Sequence, residues 1–459
     1  VVQKNLTRVI GEGTAWTLLA TFFVKIVSIS TIFIMLRGLT VYEYGVKELV
    51  LAALGFFGIF SLPGLVSVVI ADIGIEKGKG NLAGAKGLFW SLLRLQTLMS
   101  LIAFAILFFG AEIIGSYYPE HISSYFRILA FTFPLAVVGM AYGIVFGVTF
   151  RYREQSFSSF FQEFFKLIVF AICLYGFGLK VEAVLYSMIF GPLMTFIVQY
   201  PAFRRAYREL GDVIEERVSV WHTLYEHGKW SVFSTYLNSS AGNLYLYIIK
   251  AMLGTEVVAL YAVASGLVGH TSALVPIGNV VAPIIPQYIS DRERFRRIIT
   301  KSIKYQVVGS LVVAFGAMIF FPPIITFLFP KYVTAMPLYR IMVFGLILSG
   351  IASIFSTVFF ALRAQKNLFY AVVVKTVAMI VIPPICIYFF GMMGIAYASI
   401  IVGLAYVLER YRVLRRLVPD YRFDMRMLFA MDDLDRTILA KLHGVLARKI
   451  SFINRKQNV

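Results

Sequence analysis

Lys25 stands in the middle of an apolar run, and its neighbours on the same helical face are hydroxyls. Thr14, Thr17, Thr21, Lys25 and Ser28 recur three or four residues apart, so on a helix they form one polar stripe. At 1.5 Å per residue Lys25 lies about 16 Å into the run, near the centre of a bilayer. An ammonium group there costs roughly 2.5–3.5 kcal/mol on insertion scales, so it is expected to face a wet cavity or a partner. Such a stripe suits an anionic ligand rich in hydroxyls. A second stripe, Ser231, Thr235, Asn238 and Gly242, follows about 214 residues later, pairing Thr21 with Thr235 and Lys25 with Ser239. Hydroxyls also serve plain helix–helix contacts; Lys25 and the pairing favour cavity lining.

Other ionisable groups are candidates. Arg37 ends the first apolar run, Lys47 opens the second and Lys250 ends the seventh. They form a basic group near one membrane face, where each also fits a side chain snorkelling to headgroups. Glu163 and Lys166 are spaced to pair on a helix, and Lys375 repeats the position of Gln162, next to Glu163. A buried structural ion pair and an ion-coupling site both fit, with the structural pair favoured. His270 can titrate near neutral pH, although a lone histidine more often only satisfies a hydrogen bond. It precedes Pro276, Pro283 and Pro286, which mark a bend or gate in a span; Pro63-Gly64 is placed for a similar bend.

Catalysis is not expected. The chain has no nucleotide loop and no zinc-ligand spacing, so neither metal nor cofactor is expected. Cys173 and Cys386 lie inside apolar runs as small hydrophobes. A membrane glycosyltransferase or polymerase would need a large or acidic outer loop, and the outer loops here are short.

The elements that carry these residues are membrane spans. With 59% hydrophobic and 15% charged residues, against about 25% charged in a soluble domain, the chain cannot be an ordinary soluble protein. Twelve stretches reach the roughly 20 apolar residues a span needs: 14–36, 44–70, 88–115, 122–149, 156–178, 181–203, 229–253, 256–289, 302–328, 335–362, 368–390 and 392–417. The first is too long for a signal-peptide core. Six spans fall in each half, and the halves echo each other. Arg127-Ile128-Leu129-Ala130-Phe131 returns as Arg340-Ile341-Met342-Val343-Phe344, Ile172 to Gly178 returns as Ile385 to Gly391, and Trp16 is matched by Trp230. An even number of spans per copy makes these parallel repeats about an axis along the membrane normal.

The expected fold is an all-α polytopic membrane protein, with about 12 transmembrane helices in two pseudo-symmetric six-helix bundles around a central cavity. The expected parts are an N-terminal lobe, 1–203, a cytoplasmic linker, 204–228, a C-terminal lobe, 229–418, and a cytoplasmic amphipathic tail, 419–459. In the tail, Leu434, Ile438, Leu442, Val445 and Leu446 recur at helical spacing beside Lys441, Arg448 and Lys449, as in a helix lying on a bilayer or on the bundle.

The formal charge of +19 is topogenic. One set of loops holds Lys77, Lys79, Lys86, Arg151, Arg153, Arg204, Arg205, Arg208, Arg292 to Lys301, Arg363 and Lys366, with Arg410, Arg412, Arg415 and Arg416 after the last span. The opposite loops carry little beyond Arg37, Lys180 and Lys331. This asymmetry places both termini in the cytoplasm of a multi-pass cell-membrane protein and removes the nucleic-acid reading.

Two short segments carry a family resemblance. Leu36-Arg37-Gly38-Leu39-Thr40-Val41-Tyr42-Glu43-Tyr44-Gly45 and Leu253-Gly254-Thr255-Glu256-Val257-Val258-Ala259-Leu260-Tyr261 resemble the span entries of the MOP superfamily (multidrug/oligosaccharidyl-lipid/polysaccharide exporters), most closely its polysaccharide or O-antigen flippase branch. The chain departs from the lipid II flippase pattern of fourteen spans and denser cavity arginines. The resemblance implies two lobes around a cavity that moves a lipid-linked glycan outward by alternating access. Its partners would be that glycan, membrane lipids, glycan-assembly enzymes and a coupling ion. A headgroup with two negative charges moving outward gains about 4.6 kcal/mol per 100 mV, so the membrane potential can assist. The competing reading, a multidrug or cation exporter coupled to H+ or Na+, calls for cavity carboxylates, and Glu163 is the only deep one.

Overall fold

The computed structural model describes residues 6–116, 122–211, 220, 225, 229–275, 277–281, 285–289, 291–362, 364–419 and 421. Helices dominate, and among the described residues there is no β-strand. The first half contains α1 (Leu6–Gly38), α2 (Val41–Phe56), α3 (Leu65–Gly78), α4 (Leu82–Phe109), α5 (Ala111–Ser116), α6 (Ser123–Ala130), α7 (Thr132–Val148), α8 (Tyr152–Ala171) and α9 (Val181–Arg208). The second half contains α10 (Lys229–Leu253), α11 (Thr255–Ser272), α12 (Ile277–Val281), α13 (Arg292–Leu328), α14 (Met336–Met342), α15 (Gly345–Ala361), α16 (Gln365–Phe390) and α17 (Met393–Leu417).

Nine described helices are long and apolar enough to cross a membrane, and Pro330–Met342 with Gly345–Ala361, bent by 52°, makes ten as one broken span. Among the described residues the expected count of twelve is not confirmed, because two of the expected stretches fall short. The stretch 229–253 is a single helix, but Ser234, Thr235, Asn238, Ser239, Ser240 and Asn243 dilute its apolarity. The stretch 256–289 is interrupted: α11 ends at Ser272, and α12 and the 3-10 turn Ile285–Tyr288 follow as separate pieces. Pro276 and Pro283 lie outside the described residues, as does the tail beyond Tyr421. The second stretch is bent where expected. A 3-10 turn, Phe57–Ser61, leads into Leu62 and Gly64 with φ of 43° and 89°, and the chain restarts as α3. Gly64 carries the positive φ without a Cβ penalty.

The internal repeat is visible in packing. Trp16 lies 5.7 Å from the Phe157 ring with the Arg153 guanidinium 5.4 Å above the indole. Trp230 lies 5.2 Å from Phe369 with the Lys366 ammonium 5.9 Å above it. Each half therefore fastens its first helix to its fifth span with an indole, a phenyl ring and a cation. The breaks also correspond, since α6 ends before Phe131 and α14 ends before Val343.

The entry to α2 explains one family-like segment. Thr40 caps the helix and Glu43 reaches back to the Thr40 backbone N–H at 2.7 Å, a reciprocal capping box. Gly45 then brings α2 against α11, so closely that a Cβ there would stand 2.2 Å from the Thr255 carbonyl oxygen. Tyr44 meets Tyr332 at 5.9 Å, and Lys331 Nζ donates to the carbonyls of Leu39 and Arg37. Deeper in the seam, Tyr247 donates to Leu49 O at 2.8 Å and Tyr236 to Phe56 O at 3.0 Å.

The cores report the same asymmetry. At the end carrying Arg37 and Lys331, one apolar core takes residues from both halves, among them Leu39, Tyr44, Tyr245, Val258, Tyr332 and Tyr339. At the opposite end there are two cores. Leu65, Phe89, Val145 and Ala206 belong to one, which also takes in Val232 at the start of α10. Ile299, Ile303, Phe359 and Leu414 belong to the other. The halves are joined at the Arg37 end and largely independent at the other.

Candidate functional site

The stripe on α1 is described from Thr21 onward. Thr21 and Lys25 are exposed and Ser28 is half-buried. The side chains of Thr14 and Thr17, and of Ser231 on α10, lie outside the described residues. Other α1 side chains anchor the helix on α8, with Phe23 6.2 Å from Phe160. Lys25 forms no hydrogen bond or ion pair among the described residues. It is in electrostatic reach of His270 on α11 in the second half of the chain. His270 is half-buried, and the adjoining Thr271 approaches the Tyr339 hydroxyl at 3.5 Å.

The second stripe meets a cationic group. Thr235, Asn238 and Ser239 on α10 are exposed, and Lys375 Nζ on α16 donates to Asn238 Oδ1 at 2.8 Å. The same ammonium lies 5.1 Å from the Tyr406 ring on α17. The Arg410 guanidinium stands 4.1 Å from that ring on its own account. Tyr406 and Arg410 are four residues apart and so share a helix face.

Arg410 corrects the sequence reading, which counts it with the loop charges. Its residue is 4% exposed, and it donates to Ala352 O and Ser356 Oγ on α15 and to the Tyr406 hydroxyl. Its Nε is buried without a partner. The signal was present in the spacing: Ala398, Val402, Arg410, Val413 and Leu414 make one buried face of α17. Glu409, next to it, pairs instead with Arg412 at 3.8 Å.

The remaining sites divide. Glu163 and Lys166 do pair, at 2.8 Å, on α8, and Gly191 gives Lys166 room against α9. Glu163 is thereby occupied by its neighbour on the same helix. Lys47 is buried, with Nζ 2.6 Å from Glu48 Oε1 and 3.9 Å from the Tyr44 ring centroid. Arg37 is exposed at the end of α1 with its guanidinium 4.9 Å over Phe33. Lys250 is half-buried near the end of α10. Arg37, Lys47 and Lys250 therefore belong to the joined end, whereas Lys25 and Lys375 lie deeper.

The electrostatic balance follows from these pairs. The carboxylates of Glu48 and Glu163 are each taken up by a lysine on the same helix. Lys25, Lys375 and Arg410 have no ion pair among the described residues. Cations without counter-charges attract an anion, and the more strongly where they are removed from bulk water, as Arg410 is, because the effective dielectric there is low. Hydroxyls and amides beside them can bind neutral polar groups of the same ligand.

A family model described as polysaccharide biosynthesis protein matches residues 34–334. No curated protein sequence matches the chain. Among solved structures, an inward-facing multidrug resistance MATE family transporter of the MOP superfamily is 15% identical, with a TM-score of 0.68 over 85% of this chain and 96% of that one. The lipid II flippase MurJ, in an inward closed conformation, is 14% identical, with a TM-score of 0.67 over 96% of this chain and 99% of that one. A MOP superfamily transporter from Pyrococcus furiosus, described as having a binding pocket of reverse polarity, is 14% identical, with a TM-score of 0.63 over 88% of this chain and 96% of that one. At these identities the likeness is one of fold.

Proposed function

Because the chain belongs to the polysaccharide biosynthesis protein family and is a polytopic membrane protein with the MOP transporter fold, we propose that it flips a lipid-linked oligosaccharide across the cell membrane. The cargo is a polyprenyl-phosphate-linked glycan moved from the cytoplasmic to the outer leaflet. The carrying observation is the sign of the embedded charge: Lys25, Lys375 and Arg410 lack carboxylate partners among the described residues, while Glu48 and Glu163 are neutralised. A cation exporter needs the reverse. The phosphate headgroup sits on the cationic faces, the sugars meet the hydroxyls and amides of α1 and α10, and the prenyl tail stays in lipid.

The halves act as lobes, 1–203 and 229–418, joined by the linker 204–228 and followed by the tail 419–459. Both termini face the cytoplasm, by the loop charges. On that topology the joined Arg37 end is the outer end, and the separately cored end opens inward. Export then requires the Gly45–Thr255 seam to open and the inner ends to close. The membrane potential drives the anionic headgroup outward, with or without a coupling ion, and glycan-assembly enzymes supply the cargo.

The test uses proteoliposomes holding a polyprenyl-pyrophosphate-linked oligosaccharide with a fluorescent sugar. The outward movement expected is accelerated by an inside-negative potential and lost in Lys375→Ala. Efflux of ethidium without movement of the lipid-linked sugar would overturn the proposal in favour of a cation exporter.

A further inference from the structure

A groove outside the cleft has the chemistry of a lipid site. It runs over α7, walled by α4 and α9. Toward the end where α9 terminates, it opens into a space of about 590 Å³ lined by Trp90, Tyr142, Phe203, Tyr207 and Arg204. The aromatic floor is already ordered. Tyr142 stacks on Phe203 at 4.2 Å between centroids, and Trp90 Nε1 donates to the Tyr207 hydroxyl at 2.9 Å. Tyr142 itself donates to Phe196 O at 2.9 Å. Arg204 stands exposed on the rim and forms no ion pair among the described residues. Arg94, exposed on α4 directly after Leu93, is another guanidinium without an ion pair among them.

A second space, lined from α4, α6 and α9, is built differently. This space, of about 330 Å³, lies between Phe108, Phe131 and Phe190, and its arginine is Arg127. Here the guanidinium is neutralised by Glu112 at 2.5 Å. The two spaces thus differ in charge: the larger has on its rim a cation without an ion pair among the described residues, and the smaller has a balanced ion pair. Side chains lining the larger space, including Val138 and Tyr200, are exposed, as expected of a surface that meets acyl chains.

We propose that the Arg204 end of this groove is a selective site for an anionic phospholipid, whose phosphate binds Arg204 while an acyl chain lies along Trp90, Tyr142 and Phe203. Basic pockets between spans near a membrane face recognise anionic headgroups in this way. The space beside the neutralised Arg127 carries no such preference. The site shares no lining residue with Lys25, Lys375 or Arg410 and does not depend on the cargo proposed for them.

Trp90 supplies the probe. The full chain carrying Trp16→Phe, Trp221→Phe and Trp230→Phe is reconstituted into phosphatidylcholine vesicles, and quenching by brominated phosphatidylglycerol is compared with quenching by brominated phosphatidylcholine. One arginine near a membrane surface is worth about a fivefold preference, so phosphatidylglycerol is expected to quench at about a fifth of the mole fraction. Arg204→Gln is expected to remove that difference, and Arg127→Gln to leave it. Mass spectrometry of protein with all its tryptophans, released from mixed nanodiscs, reads the same preference should the tryptophan-depleted chain fold poorly. Equal quenching by the two lipids, or a preference that survives Arg204→Gln, overturns the proposal. Stoichiometric displacement of the brominated lipid by polyprenyl pyrophosphate also overturns it, by assigning the groove to the cargo.

Discussion

A single methyl group at Gly45 should tilt the balance between the two states proposed for this protein. In the joined state an alanine Cβ at that position would stand 2.2 Å from the Thr255 carbonyl oxygen and 3.1 Å from its carbonyl carbon. Carbon and oxygen in contact normally lie about 3.3–3.6 Å apart, so α2 and α11 must separate by roughly 1 Å. The obstacle is backbone and cannot rotate aside. Overpacking of this kind costs about 1–3 kcal/mol. The cost falls only on the state in which the seam is shut, so the ratio of open to shut should rise about 5- to 150-fold. Spin labels at Tyr42 and Val333, which are exposed on opposite sides of the seam, would read it as a distance distribution. The background needs Cys173→Ala and Cys386→Ala, the free cysteines. The expected outcome is a second, longer distance in Gly45→Ala. Gly242→Ala is the control, because a Cβ there meets nothing within 4 Å, and it should leave the distribution alone. An unchanged distribution in well-folded Gly45→Ala would refute the idea that this seam is the outer gate.

Four further outcomes are expected. Lys25→Ala should abolish export while the protein still inserts, Lys25→Arg should keep part of it because charge survives a change of geometry, and Lys25→Glu should be worse than alanine; normal export by Lys25→Ala would end the role given to that charge. Arg410→Ala should lower stability in a detergent melt by at least about 1.5–3 kcal/mol, the worth of one charge-assisted hydrogen bond, and Arg410→Met should be milder because it also removes the cost of burying a charge. Glu163→Ala should cost no more than about 1 kcal/mol and be recovered by adding Lys166→Met, with export unchanged throughout; export lost at full stability would make the pair a coupling site. Truncation after Asp420 should leave insertion and export intact, and complete loss of export from stably inserted protein would show that the tail takes part.

Membrane character, helical class and duplication were legible in the residues alone. A bilayer forces every backbone polar group to be satisfied within a helix, so apolar length translates almost directly into spans. The repeat is written in residue types, and packing reproduces it as Trp16, Phe157 and Arg153 against Trp230, Phe369 and Lys366. The span count was less legible. Hydropathy averages over a whole helix, whereas α10 mixes hydroxyls and amides with its apolar residues, and α11 stops where the chain turns. The stripe on α1 could be drawn from spacing, but that Lys25 comes within electrostatic reach of His270 in the second half could not. Charge partners also needed coordinates. Spacing allowed Glu163 several cations, and the helix chose Lys166 at i+3 because that contact is local. Arg410 looked like a loop charge because a sequence window sees a basic cluster following a span. Tertiary packing decided otherwise: α15 brings two acceptors to its guanidinium, and the Tyr406 hydroxyl, one turn earlier on the same helix, completes the set. The seam at Gly45 has the same origin, since a glycine in a helix is silent until another backbone lies against it.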